Sequence, residues 1–499
     1  MKRMIAAVLV GMCLIISGCK APVSVPSGET ENSVCVTATV TTSTETRQTE
    51  TAQTETTVSS VKSTTFTGKT SRQSTKSSVF SSRTTFSSSQ TSRESQKTSA
   101  LETQTSVTVT GKTEPTATPN DSKEFRGVWV SYIELQDLLH KNNTPQKAKQ
   151  AIDSLMDHCA SLGLNTVIWM VRGHSDAYYE SNLFLPNAYA APLLEVGFDP
   201  LKYAVAAAHK RGLKLHAWVN PYRIGRNKTT AVCEDFFYYN GKYYYVPTSE
   251  KVQTLILNGL TELVTHYAID GIHFDDYFYP EGCAGEKKAA SFESAAYTAY
   301  VQKTGGAALR PGDWRRDAVN RMVRAAYEVA HSRKDCVFGI SPSHDYEKTY
   351  GQMYADSQLW LAKEGYVDYL CPQVYFGFEH GSAPFADLVD DWLSYPKSNS
   401  VELYFGLGLY KIGLSPDRYA KTAAGKSEWI DHSDIMKRSV LYLRSKAACG
   451  GMALYSYSYL DPDTRRDLSS WQENGSTVKQ TYNKTVASKE IMALKEVLS

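Results

Sequence analysis

Asp270-Gly-Ile-His-Phe-Asp-Asp-Tyr-Phe-Tyr-Pro280 is the stretch on which the reading of this chain turns. Taken alternately, Ile272 and Phe274 fall on one face, and Gly271, His273, Asp275 and Tyr277 on the other. One side is apolar; the other carries an imidazole, a carboxylate and a phenol. That division suits a strand whose outer face packs under helices while its inner face lines the mouth of a barrel. A plainer reading also fits, an aspartate that caps a turn above a satisfied core histidine, and the surroundings must choose between them.

Working outward, strand and helix alternate through the chain. Strands are predicted at 125–132, 165–172, 214–222, 270–277, 336–342, 367–375, 402–409 and 451–457. Helices are predicted at 145–162, 200–211, 250–266, 313–333, 350–363, 384–393 and 433–446. Eight such units in one domain predict a (β/α)8 TIM barrel. The competing fold, a doubly wound open sheet, would want a glycine-rich phosphate turn after strand one, and none is present.

A barrel puts its chemistry at the C-terminal ends of its strands, so the last inward residues matter most. On strand three these are His216, Trp218 and Asn220, with Tyr222 and Arg223 just beyond. Strand six offers Cys371, Gln373 and Tyr375. Strand two ends at Arg172 with Asp176 in its loop, and strand eight supplies Tyr455. Aromatic faces stack on sugar rings, and amides and guanidinium groups hydrogen-bond their hydroxyls. The residues expected to contact substrate are therefore Arg172, Asp176, Trp218, Asn220, Tyr222, Arg223, His273, Tyr277, Gln373, Tyr375 and Tyr455.

Cleaving a glycosidic bond ordinarily takes two carboxyl groups, one protonated and one ionised. Asp275, the last inward carboxylate of strand four, is expected to be one of them. On a regular strand Asp276 would point the other way, so it is expected to support a loop or His273 rather than react, unless the chain bends there. The second group is then sought at Glu379 first, Asp345 second and Asp176 third. A metal reading would join His216 and His273 to Asp275. The His-x-His pair that opens many barrel metallohydrolases is missing from strand one, so neither metal nor cofactor is expected.

The ends of the chain differ in kind from this domain. Lys2 and Arg3 precede an apolar run over 4–16, too short to span a bilayer stably, which closes on Ile16-Ser17-Gly18-Cys19. This resembles a bacterial lipobox and implies a signal peptide over 1–18, lipidation of Cys19 and a lipid anchor on the extracytoplasmic side of the membrane; an ordinary signal peptide with an incidental cysteine is the alternative. Over 19–122 serine and threonine dominate, too little apolar surface to offset the entropy of ordering, so a disordered tether is expected. The catalytic domain is assigned to 123–475, and 476–499 is taken as a tail with a short helix near 488–498. The formal net charge of +2 favours neither nucleic acid nor an acidic partner. No Cys-x-x-Cys occurs, though Cys233 and Cys283 in probable loops could pair.

Several segments, in order, resemble the glycosyl-hydrolase-like family 10. They are Glu124-Phe-Arg-Gly-Val-Trp-Val130, Gly163-Leu-Asn-Thr-Val167, Gly197-Phe-Asp-Pro-Leu201, Gly212-Leu-Lys-Leu-His-Ala-Trp-Val-Asn-Pro-Tyr-Arg223, the strand-four motif and Cys371-Pro-Gln-Val-Tyr375. The resemblance implies a barrel, an exported bacterial protein and hydrolysis of a glycan such as peptidoglycan. One segment, Ser341-Pro-Ser-His-Asp-Tyr-Glu-Lys348, departs from the Ser-Pro-Phe-Gly pattern expected there. Asp270-Gly-x-His-x-Asp275 also resembles the Asp-Gly-x-Arg-x-Asp strand of the α-amylase superfamily, again singling out Asp275. The expectation is a surface-anchored glycoside hydrolase acting on envelope or extracellular glycan. The alternative is a non-catalytic glycan-binding lipoprotein on the same barrel.

Overall fold

The computed structural model describes residues 124–473 and 476–499. The signal sequence, Cys19 and the Ser/Thr-rich tether lie outside the described residues. Eight parallel strands form one sheet: β1 (Phe125–Val130), β2 (Thr166–Arg172), β3 (Lys214–Val219), β4 (Gly271–Phe274), β5 (Val337–Ile340), β6, β7 (Glu402–Leu407) and β8 (Gly451–Leu454). Strand β6 comes in two pieces, Tyr369–Leu370 and Gln373–Val374, on either side of Pro372, which has no N–H to give the ladder. Each strand pairs with the next, and β8 returns to β1 with Gly451 opposite Phe125, so the sheet closes. The TIM barrel read from the sequence is the fold.

The strands are apolar because both faces are covered; every residue of β2 is buried. Outside lie α1 (Pro145–Ser161), α2 (Pro200–His209), α3 (Glu250–His266), α4 (Pro311–His331), α5 (Ser357–Ala362), α6 (Phe385–Ser394), α7 (Ile435–Arg444) and α8 (Lys484–Leu498). Their starts follow the sequence closely. Proline opens α1, α2 and α4, where its missing N–H costs nothing, and the Asp199 and Ser249 side chains cap α2 and α3. The single helix predicted over 350–363 is instead two, Tyr346–Gln352 and α5. Asp345 and Asp356 each cap an N-terminus, and Tyr354, at φ 55°, turns the chain between them.

The last segment also differs from its reading as a tail. Helix α8 is the eighth helix of the ring, burying Ala487, Leu494 and Leu498 against the body. Glu490 is wholly buried, and its carboxylate accepts from the N–H groups of Ile435 (2.7 Å) and Met436 (3.1 Å), capping α7 from outside its own sequence. At the other edge the Leu498 carbonyl sits over Gly163, where a Cβ would come within 2.6 Å of it. The short helix expected near 488–498 is thus present but begins at Lys484, and its place in the ring is what the sparse apolar spacing did not reveal.

The lower barrel is filled with rings. Phe125 stacks on Tyr404 at 4.3 Å, and the Tyr369 hydroxyl lies 2.9 Å from Nδ1 of both His216 and His273. Gly339 makes room for Tyr369, whose ring occupies the space a Cβ would take. Rings fill that end, and a cavity lies at the C-terminal mouth. Cys233 and Cys283 are free thiols, so the pairing allowed by the sequence is not made. Among the described residues no helix is long and apolar enough to cross a membrane.

Candidate active site

Regular strand geometry ends at Phe274, one residue before the two aspartates. The Tyr277 N–H donates to Asp275 Oδ1 (3.3 Å) and the Phe278 N–H to the Asp276 carbonyl (3.0 Å). The chain therefore turns at the pair instead of continuing the pleat. Alternation, which would send Asp276 to the opposite face, no longer applies. Both carboxyl groups line one cavity of about 170 Å³ at the barrel mouth.

That cavity is built from strand ends. Trp129 and Ser131 come from β1, Met170 from β2, Trp218 and Asn220 from β3, Ser341 from β5, Gln373 and Tyr375 from β6, and Tyr455 from β8. Tyr375 and Tyr455 stack at 5.4 Å, and the Arg223 guanidinium lies between the rings of Tyr132 and Tyr277. Asp275 is 3% exposed. The Trp218 indole N–H donates to its Oδ2 at 3.1 Å and the Asn220 amide at 3.4 Å.

Burial of Asp275 pushes its carboxyl up to about 8, with the adjacent Asp276 charge adding to the effect and its hydrogen bonds and Arg223 opposing it. Burial raises Asp276 less, to about 6, restrained by the Gln373 amide and the Lys348 ammonium among other groups. At neutral pH Asp275 holds its proton and Asp276 is mostly ionised. Two neighbouring carboxyl groups in different protonation states are what acid-assisted bond cleavage uses.

A second cavity, of about 140 Å³, shares Asp276, Tyr277, Gln373 and Tyr375 with the first. Its far side is formed by Tyr239, Lys242 and Tyr244 of a hairpin (Phe236–Tyr239 and Lys242–Tyr245) and by Ser343, His344 and Lys348. Asp276 thus stands on a wall common to both.

Of the residues expected from sequence, Asp275, Asp276, Trp218, Asn220, Arg223, Tyr277, Gln373, Tyr375 and Tyr455 meet at the first cavity. The others do not. His273 lies beneath the floor, fully buried. The Trp129 indole can only donate, so His273 Nε2 accepts from it (3.2 Å) and Nδ1 donates to the Tyr369 oxygen, leaving the Tyr369 proton for His216 Nδ1. Burial holds both imidazoles below their ordinary range, His216 at about 4. These are the satisfied core histidines of the plainer reading. Among the described residues no three His, Cys, Asp or Glu side chains cluster as metal ligands would.

Arg172 faces outward because of a bulge. Met170 pairs with Trp218 and Arg172 with Val219, so Val171 is an extra residue that moves Arg172 to the outer face. Its guanidinium stacks on Phe184 at 4.0 Å, beside Gly259 of α3. Tyr222 is buried behind the wall toward Phe278. Asp176, raised by burial, accepts from the Asn187 amide at 2.9 Å away from the mouth.

None of the three carboxylates expected as the partner of Asp275, Glu379, Asp345 and Asp176, reaches it. Asp345 caps the helix Tyr346–Gln352 through the Lys348 N–H (3.0 Å). Glu379 is turned outward, 3.7 Å from His432, because buried Glu428 grips the N–H groups of Phe378 and Glu379. The sequence reading missed the loop after β7. Lys411 and Asp417 form a buried ion pair at 2.6 Å in the cavity wall, joined by Arg418 and Tyr419. Burial raises the Asp417 carboxyl, but the Lys411 charge outweighs it and holds it below the usual range. No periodic pattern marks that loop, so only coordinates reveal it.

Residues 124–422 match the family described as Glycosyl hydrolase-like 10. The chain is 30% identical over 366 residues to Glycosyl hydrolase YngK of Bacillus subtilis (strain 168), covering 67% of this chain and 69% of that protein. Glycosyl hydrolase DigH of Escherichia coli (strain K12) is 28% identical over 407 residues, covering 72% and 89%. Among solved structures, the glycoside hydrolase domain of PgaB (BpsB) from Bordetella bronchiseptica overlays with a TM-score of 0.45 at 14% identity, over 68% of this chain and 97% of that one. Because the family match runs from β1 through the loop that carries Lys411 and Asp417, the chain belongs to the Glycosyl hydrolase-like 10 family.

Proposed function

We propose that the protein is a glycoside hydrolase, anchored at the bacterial surface through Cys19, that cleaves an envelope or extracellular glycan such as peptidoglycan. The observation that carries this reading is the pair of adjacent buried carboxyl groups at the barrel mouth: Asp275 and Asp276 both line the first cavity, Asp276 also lines the second, and burial raises Asp275 further than Asp276. Asp275 donates its proton to the departing glycosidic oxygen, held in place by Trp218 and Asn220. Asp276, as the anion, faces the positive charge that develops at the anomeric carbon. Tyr375 and Tyr455 offer ring faces to the sugars, and Arg223 offers donors to their hydroxyls.

Release of reducing ends from purified envelope glycans tests the reading. Wild type should release them, and Asp275→Asn should not while still binding the same glycan. Glycan pulled down by a wild type that releases nothing would instead mark a binding lipoprotein. A mature chain that carries no lipid on Cys19 would remove the anchor from the proposal.

A further inference from the structure

We propose that the bond is broken with the substrate's help: the sugar at the cleaved anomeric carbon bears a 2-acetamido group, whose oxygen attacks that carbon while Asp276 holds the acetamido N–H. This rests on the hydrolase reading and adds the class of sugar that the site accepts.

The argument begins with where the carboxylates stand. A protein nucleophile or base must approach the anomeric carbon from the side opposite the acid, and enzymes of that kind set the two carboxyl groups roughly 5 Å or 6.5–9.5 Å apart across the bond. Here the acid and its ionised neighbour are consecutive residues leaving one strand end, so both reach the sugar from one wall of the cavity. The cavity has one other carboxylate among its lining residues, Asp417, and that group is already engaged. Its Oδ2 holds Lys411 Nζ at 2.6 Å and its Oδ1 accepts from the Tyr419 N–H at 3.1 Å. Glu379 and Asp345 point elsewhere. Glu281, in the second cavity, is held by Lys348 at 2.7 Å. Among the described residues that line the two cavities, no carboxylate is thus left to attack from the far side, and a group carried by the sugar can. A 2-acetamido oxygen reaches its own anomeric carbon by closing a five-membered ring. Such a group needs an anion for its N–H and an apolar seat for its methyl. Asp276 is the first; Trp129, Met170 and Trp218, which line the same cavity, are the second.

The steps balance. The acetamido oxygen bonds to the anomeric carbon as the glycosidic C–O bond breaks, and the leaving oxygen keeps the electron pair and takes the Asp275 proton. The resulting cyclic oxazolinium is neutralised by Asp276. Water then adds to the anomeric carbon and gives a proton to the Asp275 carboxylate. The ring C–O bond opens, and its electrons restore the acetamide. One water is consumed and the anomeric configuration is retained.

The test uses the glycan that wild type cleaves, in its native form, chemically de-N-acetylated, re-N-acetylated and re-N-trifluoroacetylated. De-N-acetylation should lower kcat/KM by about a hundredfold or more, and re-acetylation should restore it. The trifluoroacetyl form fits the same space with a poorer nucleophile, so kcat should fall by about tenfold or more. Asp276→Asn should lose activity without rescue by azide. Equal cleavage of the de-N-acetylated glycan, equal kcat for the trifluoroacetyl form, azide rescue, or a covalent glycosyl–Asp276 adduct would each overturn the proposal and leave the hydrolase reading standing. A wild type that cleaves no glycan would overturn both.

Discussion

Replacing Asp275 by asparagine should stabilise the fold, and stabilise it more at pH 7 than at pH 5, while abolishing the reaction. In water an aspartate ionises near pH 4; in the barrel mouth burial moves that event to about 8. Between these limits the folded protein holds a proton that the unfolded chain has released. Unfolding therefore becomes easier by about 1.4 kcal/mol for every pH unit of rise across that window. Asparagine has no such proton, so the variant's advantage should grow by about 2–3 kcal/mol between pH 5 and pH 7. Urea unfolding of both proteins, followed by tryptophan fluorescence at constant ionic strength, measures the difference directly, and titrations common to both cancel. A stability difference that stays constant between the two pH values would mean that Asp275 is ionised in the fold. It could not then be the proton donor at neutral pH.

The dependence of kcat/KM on pH should be bell-shaped, with limbs near 6 for Asp276 and near 8 for Asp275. In Asp276→Asn the neighbouring charge is gone, so the alkaline limb of any residual activity should move to lower pH. Lys411→Met strands the Asp417 carboxylate in a buried wall and should destabilise by about 3–5 kcal/mol, with Asp417→Leu added on top recovering much of the loss in chemical denaturation. Glu379→Gln and Asp345→Asn should each leave kcat within about twofold, because one side chain faces solvent and asparagine caps a helix as well as aspartate does; a loss of about a hundredfold in either would place a reacting carboxylate where the structure has none. Glu490→Ala removes the acceptor for two N–H groups of α7 and should cost about 1–3 kcal/mol, read as a fall in Tm.

The barrel was legible in the sequence because its signals are periodic. Ile272 and Phe274 sit outside and His273 inside as a two-residue repeat requires, and Trp218 on β3 and Asn220 just past its end reach the mouth by the same rule. What failed was whatever broke the repeat. A single extra residue at Val171 turned Arg172 away from the mouth, and a turn starting at Asp275 brought Asp276 into it. Glu379 and Asp345 lie in loops, where distance along the chain says nothing about direction, and each is fixed by partners unreadable beforehand: Glu428 for one, the start of a helix for the other. Lys411 and Asp417 carried no pattern at all. Helix α8 was expected near 488–498 but only as part of a tail, because its tie through Glu490 to α7 joins positions 55 residues apart.

The place of α8 also bears on the order in which the protein can be finished. Strands β1 and β8 meet at a seam between the two ends of the domain, and α8 lies on that seam between α7 and the end of α1. The contacts that seal the ring thus join the most distant parts of the sequence, the kind that form late and expose apolar surface until they do. A nascent chain that has made β8 but not residues 484–498 has every strand of the barrel and still an uncovered side. Residues 484–498 thus close the ring over that seam, although none of them lines the cavity at the mouth.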